Sequence, residues 1–300
     1  MDMTQNKCCR HGANLRRRRR RRRKILRSII FSCSIIAVAV FVTVGSSMIR
    51  SGDGRTNKYD VEAGNNTYDN AVIENSKISE KNKIQNNQSM LDDIMNSTQY
   101  PKQLKDLALK NEEALEFVYD YPAEHVKEHT IDLTEEASMD SVPLFVQWDK
   151  RWGYEKYSGN FFAASGCGPT TLSMVVVYLT HNREASPIAV AKYSNEAGYS
   201  VDGSGSSWTL ISEGCMHYGV KAKAVALDES RMKAELDAGH PIVINVGPGD
   251  FTDTGHFMVI TGYDDEGFSI NDPNSIEKSG KRWLFKNISS QIRAVWSMYV

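Results

Sequence analysis

Cys167 stands in the run Ala164-Ser165-Gly166-Cys167-Gly168-Pro169-Thr170-Thr171-Leu172-Ser173-Met174. Pro169 suits the first turn of a helix, and Leu172, Val175, Val176 and Leu179 form an apolar face behind it, so the thiol is predicted just before a helix start. There the aligned peptide dipoles and unpaired N–H groups favour an anion and lower a thiol pKa from its reference near 8.5. Gly166 and Gly168 would leave room for the backbone of a bound chain. A small buried cysteine in a tight turn accounts for the same run, so the thiol alone does not decide the chemistry.

A thiolate nucleophile needs an imidazole to share its proton. Of the seven histidines, His11 falls in a basic tail, His125 and His129 at the end of a predicted helix, His181 after a second, and His240 in a turn. His256 differs. It follows the loop 247–255 and opens Phe257-Met258-Val259-Ile260, a strand that would hold the ring rigidly. After a hairpin turn at Asp264-Asp265-Glu266-Gly267, the partner strand ends in Asn271-Asp272-Pro273, which returns Asp272 to the neighbourhood of His256. Its carboxylate would accept from the ring and fix the tautomer; a plain turn residue before Pro273 is the competing reading. Gln147, in Val146-Gln147-Trp148, carries a side-chain amide of the kind that stabilises an oxyanion together with the Cys167 N–H. Trp148 and Trp152 read as packing aromatics.

The elements that must position these groups lie between about Met139 and Val300. Helical patterns cover Gly168–Leu179, Ser186–Ala197, Trp208–Tyr218 and Glu229–Ala238, the last two stopped by Gly219 and Gly239. Strand-like runs follow at Val220–Ala226, Pro241–Val246, Phe257–Tyr263, Phe268–Asn271 and Ser297–Val300. Helices first and strands afterwards predict an α+β domain, with the helices gathered against an antiparallel sheet. Upstream, Leu104, Leu107, Ala108, Leu115 and Val118 predict one lead-in helix that Tyr121-Pro122 ends, and 99–138 is assigned to it. Residues 50–98, rich in Asn, Ser, Lys, Asp and Glu, read as a flexible polar stalk.

The N-terminus has a different character. Residues 1–50 hold 13 Lys/Arg and one Asp, a net of +12, so the remainder of a chain of net charge -1 carries -13. That acidic remainder argues against nucleic acid as a partner. Ser28–Ile49 contains no charge over 22 residues, long enough to cross a bilayer core, and the eight arginines Arg16 to Arg23 would stay on the cytoplasmic side. The expected topology is a cytoplasmic basic tail over 1–27, a transmembrane signal anchor over 28–49 and an extracellular remainder. A cleaved signal peptide and a lipoprotein at Cys33 are weaker fits to so long an apolar run. Of five cysteines, Cys8, Cys9 and Cys33 belong to this region, and Cys167 and Cys215 are expected free.

In order along the chain, Val142–Gly153, Ser165–Met174, Asp202–Trp208, Gly255–Val259 and Asn271-Asp272-Pro273 resemble the cysteine peptidase family thirty-nine group. These are papain-like domains related to the double-glycine leader peptidases of bacteriocin exporters, here without the exporter portion. The resemblance implies a papain-like fold over 139–300, with Cys167 as nucleophile, His256 as base, Asp272 as orienting carboxylate and Gln147 as oxyanion donor. It implies a peptide or protein substrate and no cofactor. Two further readings stay open: a cell-wall amidase or acyltransferase using the same thiolate, and a non-catalytic peptide-binding surface module. Gly203-x-Gly205 lacks a third glycine and a preceding strand, so no nucleotide site is expected; Ser206 and Ser207 read as a helix cap. Cys215-Met216-His217 has no second pair at zinc-like spacing, so no metal is expected either.

Overall fold

The computed structural model describes residues 66–300, with side chains from 79 onward. The basic tail, the apolar run 28–49 and the first part of the expected stalk lie outside the described residues. Among those described, no helix is long and apolar enough to cross a membrane.

The core is built on a central run of β-branched residues. Strand β6 (Ile242–Val246, IVINV) is buried along its whole length, so its apolar residues run on rather than alternate with polar ones. It sits third in a six-stranded sheet ordered β5-β10-β6-β7-β8-β9, where β5 is Lys221–Ala224, β7 His256–Asp264, β8 Gly267–Asn271, β9 Arg282–Trp283 and β10 Ile292–Tyr299. Every pairing in it is antiparallel. The architecture is therefore α+β, as predicted. The sheet is covered on both faces, however. Val243, Phe257, Val259, Trp296 and Met298 pack with the helical residues Leu172, Val175 and Val176. Ile242, Ile244, Val246, Met258 and Ile260 face the other way, onto Met232 and Ile288. The two-residue side-chain period of the strands divides the core in this way.

Along the chain, helices α1 (Asn66–Asn96), α2 (Lys102–Lys110), α3 (Leu115–Tyr119) and α4 (Tyr121–Glu124) precede the sheet. Helix α1 occupies most of the segment that its composition assigns to a flexible stalk. Its C-terminal end explains the difference: Met90, Leu91 and Ile94 recur at three-to-four spacing and pack beside Leu104 and Leu107, and Ile94 is wholly buried. An average over the segment hides three apolar residues gathered at one end. The predicted single lead-in helix is broken at Asn111, whose backbone is extended (φ -133°, ψ 101°). Pro122 begins a short helix rather than ending a long one, because a proline fits the first turn. The apolar face does pack as expected: Leu104, Leu107, Ala108, Leu115 and Val118 close over Phe161 and Ala163.

Two small hairpins escape the sequence patterns. Strands β1 (Lys156–Tyr157) and β2 (Asn160–Phe161) turn through Ser158 and Gly159, both at positive φ, the backbone that a two-residue hairpin loop requires. Strands β3 (Ser200–Val201) and β4 (Gly205–Ser206) form the second. Between and after them lie α5 (Phe162–Ser165), α6 (Cys167–Thr180), α7 (Pro187–Glu196), α8 (Thr209–Ser212), α9 (Glu229–Asp237), α10 (Ile276–Ser279) and α11 (Phe285–Ile288). The predicted helix Trp208–Tyr218 is split at Glu213 into α8 and a 3-10 segment, Gly214–Tyr218. Strand β10 begins five residues before its predicted start; the register slips between Ile292 and Ala294, so the charged Arg293 interrupts the alternation that marks a strand.

Candidate active site

The longest buried helix of the domain begins at the thiol. Cys167 is the first residue of α6 and is partly buried, with Gly168 to Val177 buried behind it. The amide groups of a helix's first turn have no partner within the helix. The His256 ring and the backbone N–H groups of Gly168 and Phe257 lie about the sulfur and favour its anionic form.

His256 opens β7 opposite Val246 of the central strand. Its Nε2 lies 2.6 Å from Asp272 Oδ1, and the two side chains are 7% and 1% exposed. With Nε2 engaged there, Nδ1 is the nitrogen left to face the thiol. Asp272 follows the last residue of β8, so the β7–β8 hairpin brings the two together as its spacing predicted. Asp272 Oδ1 also accepts from Asn274 N at 2.8 Å, and Asp272 N donates to Ser279 Oγ at 2.9 Å. Its second oxygen, Oδ2, is buried with no partner among the described residues, which leaves His256 as the nearest balance for its charge.

The electrostatics follow from that burial. Desolvation alone would raise the Cys167 thiol, but the hydrogen bond and charge of His256 outweigh it and hold the thiol below its ordinary range. Desolvation would likewise lower His256; the Asp272 carboxylate and the Cys167 sulfur raise it instead. One group down and the other up means a thiolate–imidazolium pair across the interval between them. The pair is lost on the acid side as Cys167 takes a proton, and on the alkaline side as His256 gives one up.

Over residues 139–300 the sequence matches the model described as the Peptidase_C39 like family. The chain belongs to that family. Among solved structures, the C39 likeness extends to the peptidase domain of Streptococcus ComA, a bi-functional ABC transporter involved in a quorum sensing pathway. Identity to it is 18%, over 45% of this chain and 90% of that one, with a TM-score of 0.37. A putative C39-like peptidase from Bacillus anthracis is 19% identical over 53% of this chain and 95% of its own, with a TM-score of 0.33. No curated protein matches the chain.

Within this C39-like domain, Gln147 stands differently from its companions. Its backbone N–H donates to Pro273 O and its Nε2 to Ala163 O, each at 2.7 Å, and the side chain is 4% exposed. It therefore joins the residue after Asp272 to the short helix that precedes Cys167. One N–H of the carboxamide is committed to Ala163 and the other remains. Asn271 Nδ2 donates to Val142 O and Pro143 O at 3.1 Å, laying the rest of that segment along the end of β8.

A cleft of about 650 Å³ opens at Cys167, within the range of ligand sites. Its walls are the two small hairpins, through Ser158–Asn160 and Gly203–Ser206, and the ends of β6 and β7 with their loop, through Asn245–Pro248 and Gly255. Of the four candidate residues only Cys167 lines it; His256, Asp272 and Gln147 stand behind the wall. Trp208 and Arg293 also line it. Sequence reasoning passed over both: Trp208 reads as the start of a helix, and Arg293 as a break before a strand.

The glycines beside Cys167 serve the protein's own packing. A Cβ on Gly168 would meet Ser206 Oγ at 2.4 Å, and one on Gly166 would meet the Phe162 ring at 2.6 Å. The space expected for a bound chain is filled from within. Ser206 is occupied as well, its Oγ 2.6 Å from the Tyr157 hydroxyl, so only Ser207 acts at the start of α8, accepting from Thr209 N at 3.3 Å. Cys215 is free, as expected, and no group of His, Cys, Asp and Glu among the described residues could hold a metal.

Proposed function

We propose that this chain is a membrane-anchored, extracytoplasmic cysteine peptidase acting through Cys167, His256 and Asp272, with Gln147 assisting at the oxyanion. The buried 2.6 Å contact between His256 and Asp272, beside a thiol at a helix start, carries the reading. The Cys167 thiolate attacks the scissile carbonyl carbon, forming a C–S bond while the carbonyl pair moves onto oxygen. That oxygen is stabilised by the Cys167 N–H and the uncommitted N–H of Gln147. The His256 imidazolium then gives its proton to the leaving amine, leaving an acyl-enzyme. Neutral His256 draws a proton from water, whose oxygen attacks the thioester and restores the thiolate. Asp272 keeps the ring oriented and its charged form favoured throughout. The uncharged run 28–49 and the arginines before it support the anchor and its orientation.

The test compares the full-length wild type with Cys167→Ala on a mixed peptide library, reading new termini by mass spectrometry. Cleavage is expected to fall by about a thousandfold or more. Unchanged cleavage by the variant would sink the assignment, and turnover of a cell-wall amide, offered in parallel, with no cleavage of the library would change the substrate class.

A further inference from the structure

The family match begins at residue 139, yet the loop that carries Asp272 is tied to residues well upstream of it. Asn111 Nδ2 donates to both the main-chain and side-chain oxygens of Asn274, at 2.9 and 3.1 Å. Asn274 in turn gives its own N–H to Asp272 Oδ1, the oxygen that His256 holds. Next to this, the Glu113 carboxylate accepts from Ser275 Oγ, from Ile276 N at 2.7 Å and from Glu277 N at 3.1 Å. Those are the first amides of α10, and Ser279 at its far end accepts from Asp272 N.

We propose that Asn111 and Glu113 are positioning residues for the Cys167–His256–Asp272 set, holding the Asp272 carboxylate against His256 through Asn274 and the start of α10. The inference rests on the reading of that set given above. Helix α10 has four residues, too few to stand alone. Its leading N–H groups have no acceptor within the helix, and Glu113 supplies one to two of them. The break in the lead-in region now has a purpose: Asn111 leaves the helix, turns its Oδ1 onto Glu113 N at 3.0 Å, and so directs Nδ2 outward to Asn274. Releasing either tether frees the loop to move its carboxylate from a contact of 2.6 Å, where the attraction changes steeply with distance. The titratable groups that face His256 are Asp272, from the end of β8, and Cys167, from the start of α6.

The experiment uses the full-length chain with Asn111→Asp, Glu113→Gln, Glu113→Ala and the Asn111→Asp/Glu113→Gln pair. Aspartate keeps the oxygen that accepts from Glu113 N, removes the donor to Asn274 and sets an anionic oxygen against the two Asn274 acceptors; glutamine keeps one acceptor. The readout is the rate of iodoacetamide labelling at Cys167 from pH 4 to 9, with thermal melts alongside. The pair is expected to move the acid limb up by about one pH unit, a loss of roughly tenfold in labelling along that limb, with Glu113→Ala exceeding Glu113→Gln. A merely structural role would lower the melting temperature and leave the profile in place; that result overturns the proposal. An ordinary thiol profile in the wild type overturns the parent reading, and this one with it. An acidic wild-type thiol with unmoved variants overturns this one alone. Asn111→Asp, the most conservative change, carries the test if Glu113→Ala does not fold.

Discussion

The domain holds two thiols against one hydrophobic core, and they have opposite acidities. Cys215, in the 3-10 segment 214–218, is wholly buried; burial pushes it up to about 11, even though backbone N–H groups reach its sulfur. Cys167 packs on the same core and also receives backbone N–H groups, yet it is held low. Donors and burial are common to both, so neither confers the acidity. What separates them is a countercharge: His256 stands at Cys167, kept cationic by Asp272, and nothing equivalent stands at Cys215 among the described residues. An acidic thiol here is the property of a three-residue set whose members come from α6, β7 and the end of β8.

Three changes break or sharpen that contrast, in descending order of effect. His256→Ala should erase it. On the acid side of the ordinary thiol range the wild-type Cys167 is expected to label as a thiolate, whereas the variant, left with burial opposed only by the Gly168 and Phe257 amides, should titrate higher and label about a hundredfold more slowly. Peptide mapping of both cysteines in one sample reads the ratio directly, and a ratio unchanged by the substitution would refute the countercharge account. Gly168→Ala tests position rather than charge. The new Cβ must displace Ser206 or the start of α6, so a loss of about 1–3 kcal/mol by denaturant titration is expected, with slower labelling of Cys167 at acid pH. Cys215→Ala should cost about 1 kcal/mol for the small cavity and leave the Cys167 labelling profile where it was. A shifted profile in that variant would show that the two thiols are coupled.

Much of this arrangement is legible in the sequence. The α6 pattern, the continuous apolar run of β6 and the hairpin turn at Asp265-Glu266 are local signals, and Cys167, His256 and Asp272 each stand at the end of an element with such a signal. The α+β class follows from the same patterns. What stayed hidden depends on contacts between distant segments. Gln147 reads as an oxyanion donor by its chemistry, but its bond to Ala163 O is a matter of tertiary placement. Gly166 and Gly168 look alike whether the space beside them admits a ligand or the protein's own Phe162 and Ser206. The breaks at Asn111 and Glu213 fall inside good helical periodicity, and only at Asn111 does a partner, Asn274, show why the chain departs from it. Arg293 conceals the start of β10 because a bulge removes the alternation that would have revealed the strand.

The bond between Asn111 and Asn274 joins residues 163 positions apart. Closing a loop of that length costs about 4.5 kcal/mol of chain entropy before the contact returns anything, and folds rich in contacts of such separation form slowly. During synthesis the chain emerges with Cys167 well ahead of Asp272, and the loop carrying Asp272 takes part of its support from a segment made long before. A partly made or partly folded molecule thus carries its thiol without its countercharge. The acidity of Cys167 is thus a property that the folded domain acquires only when α6, β7 and the end of β8 come together.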